Sequence, residues 1–87
     1  MKSVFTGRYG AFLRAIVAER KAAGLTQQAL AEKLNKPQSF VSKYERGERR
    51  LDVIEFLDVA KAIGVAPQKI LAEVQEDCTP IVSGNAS

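Results

Sequence analysis

The 87-residue sequence contains no histidine and a single cysteine, Cys78. Histidine is the commonest general acid–base and metal-ligating side chain, and zinc sites are usually built from cysteine and histidine. We therefore expect no metal site, no other cofactor and no enzymatic activity. A lone cysteine cannot form an internal disulfide, which favours a reducing cytoplasm.

Long apolar runs and secretory signals are also missing. No apolar run approaches the ~18 residues that a membrane span needs, and the first ten residues lack an apolar block or a cleavage site. We therefore expect neither membrane association nor export. Apolar residues make up 46% and charged residues 26% of the chain, which is typical of one globular domain with a single core.

The charges are divided unevenly along the chain. Residues 1–50 contain eleven Lys/Arg and four Asp/Glu, a net charge of +7, whereas residues 51–87 contain two and six, a net charge of −4. This asymmetry predicts that the first half faces a polyanion and the second half faces away from it. Chance clustering on a solvated surface is the alternative.

Apolar residues recur at helical spacing throughout, without the alternation of a strand. A first helix is predicted over about residues 9–23, ending before Gly24. Its stripe contains Leu13, Ile16, Val17 and Arg20. Thr26 is a typical N-cap and Asn35 can adopt the left-handed conformation that ends a helix, which predicts a second helix over 27–34. The apolar positions of that helix are Leu30, Ala31 and Leu34.

Three further helices are predicted. Pro37 suits the first turn of the third helix, which would bury Val41 and Tyr44 and end by Gly47. Asp52 and Glu55 have the spacing of a capping box, which predicts a fourth helix over about 53–63. Its expected buried residues are Val53, Phe56, Leu57, Ala60 and Ile63. Pro67 begins a fifth helix that fades near Glu76, with Ile70 and Leu71 facing inward.

These elements predict an all-α domain at residues 11–76, preceded by an N-terminal arm at 1–10 and followed by a flexible C-terminal tail at 77–87. The connection between the second and third helices is only two residues, 35–36. Such a tight link is typical of a helix-turn-helix unit.

Three segments carry a resemblance to a known family: GLTQQALAEKL, NKPQSFVSKYERGER and LDVIEFLDVAKAIGV. The chain resembles, over about residues 12–72, the Cro/C1-type (Xre-type) helix-turn-helix domains of phage and bacterial transcriptional regulators. The resemblance implies a five-helix lambda-repressor-like fold, with helices 2 and 3 as the helix-turn-helix. It also implies a bacterial cytoplasmic protein associated with the nucleoid.

The third helix of such domains lies in the DNA major groove. The resemblance places five residues on its base-reading side: Gln38, Ser39, Ser42, Lys43 and Phe40. Gln can pair with adenine, Lys with guanine and Ser with either base, and a phenyl ring can contact a thymine methyl group. For Phe40, packing against the second helix is an equally good interpretation.

Phosphate contacts are expected on both sides of the third helix. The resemblance assigns one to Gln27, where the start of the second helix can hold an anion; support of its own helix is the alternative. Basic side chains near the third helix should neutralise further phosphates: Lys36, Arg46, Arg49 and Arg50. For each arginine, a solvated side chain is the alternative.

Arg20 lies on an apolar stripe, where an unpaired guanidinium would be costly. Similar repressors pair an arginine at this position with a glutamate at the end of the third helix, which implies a structural ion pair between Arg20 and Glu45. The chain departs from the family pattern at Pro37 and Ala29, where side-chain caps are common, and at Tyr44, where Ile or Leu is usual.

These features predict a sequence-specific regulator of double-stranded DNA, most simply a repressor that binds a palindromic operator as a homodimer. The half-sites of such operators lie one helical turn, about 34 Å, apart. The fifth helix and the tail are the favoured dimer surface. The alternative is a DNA-binding antitoxin that also binds a partner protein through its C-terminal segment. RNA binding or an adaptor role is a third interpretation.

Overall fold

The computed structural model of the chain describes residues 7–75. This range contains five helices and no strand: α1 (Gly7–Ala22), α2 (Gln27–Leu34), α3 (Gln38–Glu45), α4 (Val53–Ile63) and α5 (Pro67–Gln75). The predicted tail, residue 76 and Cys78 lie outside the described residues, as do residues 1–6 of the predicted arm. Residues 7–10, which were assigned to the arm, form the first turn of α1.

Short-range hydrogen bonds fix the ends of α2 and α4. The Thr26 hydroxyl accepts the N–H of Ala29 at 3.0 Å and so caps α2. Asn35 ends α2 in the left-handed conformation, with φ of 59°. Asp52 and Glu55 form a reciprocal capping box at the start of α4, with bonds of 2.8 and 3.1 Å. These predicted caps and the bounds of both helices are confirmed.

The start of α3 differs from the prediction by one residue. Pro37 is the N-cap rather than part of the first turn, because its ψ of 156° is extended. Its side chain makes no capping hydrogen bond. An eight-residue helix without a side-chain cap is marginal on its own. The position of α3 therefore depends on the side chains that it buries.

The core lies where the five helices meet, and each helix contributes to it. Its buried members are Leu13, Ala15, Ile16, Leu30, Ala31, Val41, Tyr44, Phe56, Val59 and Ile70. From α3, Val41 and Tyr44 are fully buried, and burying such a side chain contributes about 1.5–3 kcal/mol. These two anchors hold α3 against α1 and α2, so that the opposite side of α3 faces outward.

Three residues predicted to be buried are exposed instead. Val53, Leu57 and Leu71 have exposed fractions of 71%, 42% and 45%. Val53 is the first residue of α4, one turn before the buried Phe56. Leu57 and Leu71 each follow a buried residue and are therefore rotated by about 100° from it. Helical periodicity predicted a wider apolar face than these short helices bury.

Candidate nucleic-acid interface

The two-residue link and the N-cap turn the chain sharply between α2 and α3. The backbone N–H groups of Asn35 and Lys36 bond to carbonyls in the last turn of α2, Lys36 to Ala31 O at 3.0 Å. Pro37 then directs the chain into α3. Local backbone chemistry therefore sets the crossing of the two helices and presents the N-terminal half of α3 to solvent.

The polar side of α3 lies opposite its buried anchors. Gln38, Ser39 and Lys43 are exposed, and Ser42 is half-buried. The Ser42 hydroxyl donates to the Ser39 carbonyl over 3.4 Å, a long bond that leaves the hydroxyl able to rotate toward another partner. The structure therefore brings an amide, two hydroxyls and an ammonium group together on one short surface.

Arg20 and Glu45 meet in a bidentate ion pair beneath the end of α3. Arg20 Nε lies 2.7 Å from one carboxylate oxygen of Glu45, and the terminal guanidinium nitrogen Nη2 lies 3.1 Å from the other. The remaining terminal nitrogen donates to the Leu25 carbonyl at 2.7 Å. The pair therefore ties α1 to α3 and to the loop before α2.

Gln27, the first residue of α2, joins this ion pair to the outer surface. Its side-chain Nε2 donates to Glu45 Oε1 at 2.9 Å. Its Oε1 accepts a hydrogen bond from Gln38 Nε2 at 3.3 Å. The Gln27 amide therefore lies between a carboxylate and the first residue of α3.

Phe40 is half-buried and packs within a cluster of side chains. Its ring meets the ring of Tyr44 edge-on, with centroids 5.5 Å apart. Two cations lie over it, the Lys36 ammonium at 5.2 Å and the Arg49 guanidinium at 4.9 Å from the centroid. These contacts are of the cation–π type, and the ring is packed against Tyr44, Lys36 and Arg49.

The loop from Arg46 to Leu51, here called the exit loop, contains two arginines that bind carboxylates. Arg46 makes bonds of 2.9 and 3.2 Å to Glu48, and each partner stabilises the charged form of the other, raising the arginine pKa and lowering the glutamate pKa. Arg49 binds Glu55 through contacts of 2.9 and 2.7 Å. The Arg49 guanidinium, together with the backbone of Asp52, lowers the pKa of Glu55 to about 2.

Arg50, the third arginine of this loop, stacks on an aromatic ring of α1. Its guanidinium lies 4.0 Å from the ring centroid of Tyr9. The Tyr9 hydroxyl accepts the backbone N–H of Leu51 at 3.2 Å. Sequence reasoning missed Tyr9, because a contact with a residue 42 positions away leaves no local signal.

Tyr44 has a polar group in the core. Its hydroxyl is buried and has no hydrogen-bond partner within residues 7–75. Burial, followed by the nearby Glu45 carboxylate, raises the pKa of Tyr44. The ring therefore acts as an apolar anchor in the position where an aliphatic residue is usual.

Two other kinds of site are missing from the described part of the chain. None of its helices has the length and apolarity of a membrane span. Nor do its acidic side chains gather into a group of three that could hold a metal ion. The polar side of α3 and the basic residues around it form the candidate functional site.

Comparisons with known proteins agree with this geometry. A helix-turn-helix family model matches residues 16–70. The solved structure of an XRE-family like protein from Pseudomonas syringae pv. tomato str. DC3000 is 51% identical, covers 79% of this chain and 84% of that chain, and superposes with a TM-score of 0.76.

The crystal structure of the clp gene regulator ClgR from C. glutamicum is similar in fold, with 24% identity and a TM-score of 0.70. It covers 80% of this chain and 91% of that chain. A comparison with curated proteins gave no significant match. The family match and the 51% identical structure show that the chain belongs to the Cro/C1-type (Xre-type) helix-turn-helix family of DNA-binding transcriptional regulators.

Proposed function

We propose that the protein is a repressor that binds a palindromic operator in double-stranded DNA as a homodimer. The observation that carries this proposal is the exposed polar side of α3, opposite the buried Val41 and Tyr44. A helix so anchored can enter the major groove without losing its contacts to the core. Occupation of an operator by such a protein blocks access to the promoter that overlaps it.

Sequence would be read at the N-terminal half of α3. The Gln38 amide offers a donor and an acceptor, the pair that matches the major-groove edge of adenine. The Lys43 ammonium offers donors only, which match the acceptors of guanine, and Ser39 and Ser42 can contact either base. Phe40 takes a secondary role, since its ring is already packed against Tyr44.

Phosphates would be bound on both sides of this reading surface. On one side are Lys36 and the start of α2 at Gln27, where backbone N–H groups and the helix dipole favour an anion. On the other side is Arg50, whose guanidinium is oriented by the Tyr9 ring. Arg46 and Arg49 would contribute only by exchanging a carboxylate partner for a phosphate.

Exposed apolar side chains support dimerisation. Val53, Ile54 and Leu57 lie on adjacent positions of α4 with exposed fractions of 71%, 64% and 42%. Exposed apolar residues that cluster on one face are typical of protein–protein contacts. We therefore propose this face of α4 as the contact with a second copy, in place of the predicted surface of α5 and the tail.

The reading roles are tested by comparing two alanine variants on two DNAs. The preferred duplex is first selected from a random pool with the wild-type protein. Lys43→Ala should bind that duplex with roughly tenfold or more lower affinity, because it removes a base contact. Its affinity for random DNA should change little. Arg50→Ala should weaken both duplexes by the same factor, because phosphate contacts are independent of sequence.

The control for Arg50→Ala is Arg50→Lys, which keeps a cation beside Tyr9 and should retain most of the affinity. Equal losses on both duplexes for Lys43→Ala would show that Lys43 does not read bases. If the wild-type protein selects no preferred duplex at all, sequence-specific binding itself is refuted.

The oligomeric state is tested by sedimentation of the full chain. Ile54→Ser should shift the dimer toward monomer, whereas Leu71→Ser, which changes an exposed apolar residue on α5, should not. A dimer lost only with Leu71→Ser would place the contact on α5. Co-purification of a small toxic protein with the chain would instead favour the antitoxin alternative.

A further inference from the structure

The first turn of α1 contacts the exit loop at two consecutive residues. The Arg50 guanidinium lies over the Tyr9 ring, 4.0 Å from its centroid, and the Tyr9 hydroxyl accepts the backbone N–H of Leu51 at 3.2 Å. We propose that Tyr9 is a positioning residue for DNA binding, whose ring holds the Arg50 guanidinium ready for a phosphate and so extends the nucleic-acid interface to α1. This inference rests on the proposed role of Arg50 as a phosphate ligand.

The three arginines of the exit loop are held in two different ways. Arg46 and Arg49 direct their N–H groups at nearby carboxylates. In the described part of the chain, the Arg50 guanidinium is paired with no carboxylate and is held over an aromatic ring instead. The face of the ring attracts the cation as a whole, so the N–H groups of Arg50 are not taken up by an anionic partner. They are therefore available to a phosphate, whose geometry the guanidinium fork matches.

Tyr9 is itself fixed by a row of aromatic rings that leads to the core. Its ring centroid lies 5.6 Å from that of Phe12, and the Phe12 ring meets the ring of Phe56 edge-on, with centroids 5.1 Å apart. Phe56 belongs to the buried core, whereas Arg50 is exposed. Aromatic side chains have only two χ angles to order. The row therefore connects an exposed guanidinium to the core through stiff side chains.

One residue of α1 thus holds both the side chain and the backbone at Arg50. The ring of Tyr9 holds the guanidinium, and its hydroxyl holds the peptide group that joins Arg50 to Leu51. Ordering one long side chain at an interface typically lowers affinity by about two- to tenfold. Because Tyr9 orders Arg50 before DNA binds, we expect the protein to avoid much of this loss.

Tyr9 lies outside the part of the chain that matches the family model. That match covers residues 16–70, and the residues that the resemblance assigns to DNA contact run from Gln27 to Arg50. The contact between Tyr9 and Arg50 therefore joins a residue before the matched region to a residue within it. It adds a part of α1 to an interface otherwise built from α2, α3 and the loops beside them.

The test is a double-mutant cycle between Tyr9 and Arg50 in the full chain. Tyr9→Leu removes the aromatic face and keeps an apolar side chain, and binding is measured to the selected duplex and to random DNA. Tyr9→Leu should weaken both by the same factor, about two- to tenfold. In the Arg50→Ala protein, Tyr9→Leu should weaken binding no further, because no guanidinium is left to position. Equal losses with and without Arg50 would overturn the inference.

Two single variants serve as controls. Tyr9→Phe keeps the ring and should bind DNA nearly as tightly as the wild type; a loss as large as that of Tyr9→Leu would show that the ring does not position Arg50. Phe12→Leu changes the next half-buried ring of the row, and it should retain the affinity at a temperature where all variants are folded. A loss equal to that of Tyr9→Leu would assign the effect to packing of the row and overturn the inference.

The inference and the proposed function fail in different ways. If Arg50→Ala weakens both duplexes but Tyr9→Leu binds them as the wild type does, Arg50 binds phosphate without the help of Tyr9 and only the inference is wrong. If Arg50→Ala leaves the affinity for both duplexes unchanged, the phosphate-binding role and the positioning role are both wrong.

A measurement without DNA covers the case in which Tyr9→Leu is too unstable for binding experiments. In NMR spectra of the free wild-type protein, the Cδ protons of Arg50 should be shifted upfield, because they lie close to the face of the Tyr9 ring. Tyr9→Phe should keep this shift, since it keeps the ring. Arg50 Cδ protons at their usual position in the wild-type spectrum would overturn the inference.

Discussion

Replacing Glu45 with alanine should destabilise the fold and also weaken DNA binding. The substitution removes both carboxylate contacts of Arg20, at 2.7 and 3.1 Å, and the bond from Gln27 at 2.9 Å. The buried guanidinium then keeps the Leu25 carbonyl, its 2.7 Å acceptor. Removing one partner of a buried ion pair typically costs about 3–5 kcal/mol, because the other charge stays buried without compensation.

This loss is large for a domain of this size. Small domains are stable by only about 5–15 kcal/mol in total. At roughly 4–8 °C per kcal/mol, a loss of about 3 kcal/mol lowers the Tm by about 12–24 °C. Thermal unfolding followed by circular dichroism measures the shift directly, and fluorescence anisotropy with a labelled duplex measures binding at a temperature where the variant is still folded.

Two controls separate the effect of burial from the effect of charge on the Tm. Glu48→Ala breaks an ion pair whose side chains are 56% and 53% exposed, and it should leave the Tm unchanged because exposed pairs contribute little. The double variant Arg20→Met/Glu45→Met should recover most of the lost stability, since apolar residues often replace a buried pair without cost. A Glu45→Ala protein with the wild-type Tm but weaker binding would refute the structural role of the pair.

Two further predictions concern single groups. Glu55 has a pKa of about 2 in the folded protein against an ordinary value of 4.5, so its contribution to stability is complete above pH 4.5 and is lost as the pH falls toward 2. Urea unfolding should show Glu55→Gln less stable than the wild type at pH 6 and equally stable near pH 2; a constant difference would contradict the role of Arg49 in lowering this pKa. Tyr44→Phe removes a buried hydroxyl that has no partner within residues 7–75, and it should leave stability unchanged or raise it by about 1 kcal/mol. A clear fall in the Tm would show that the hydroxyl is hydrogen-bonded.

The sequence predicted best those features that depend on near neighbours. The caps at Thr26, Asn35 and Asp52 join atoms within a few residues of one another, so their chemistry can be recognised from spacing alone. The all-α class and the five helices followed from helical periodicity and caps, and the lambda-repressor-like arrangement from the family resemblance. Both are confirmed by the structure and by the helix-turn-helix match.

Which side chains meet in the folded chain could not be predicted from local patterns, and the Arg20–Glu45 pair, 25 positions apart, was expected only from the family resemblance. Nothing in the local sequence selects Glu55 as the partner of Arg49, or places the Tyr9 ring under Arg50. The exposure of Val53 was missed for a related reason. Periodicity shows which residues share a helix face, but the lengths and crossing of the neighbouring helices decide how much of that face is buried.

The carboxylates bound to the exit loop have a consequence for the counterions that drive DNA binding. Each phosphate neutralised by a free cation releases a condensed counterion, and log K falls by about 0.9 for each such contact per tenfold rise in salt. Glu48 and Glu55 already neutralise Arg46 and Arg49. If a DNA phosphate replaces either carboxylate as the partner of its arginine, the freed carboxylate binds a cation from solution. The salt dependence per protomer should therefore reflect Lys36 and Arg50 more than the number of basic residues near α3.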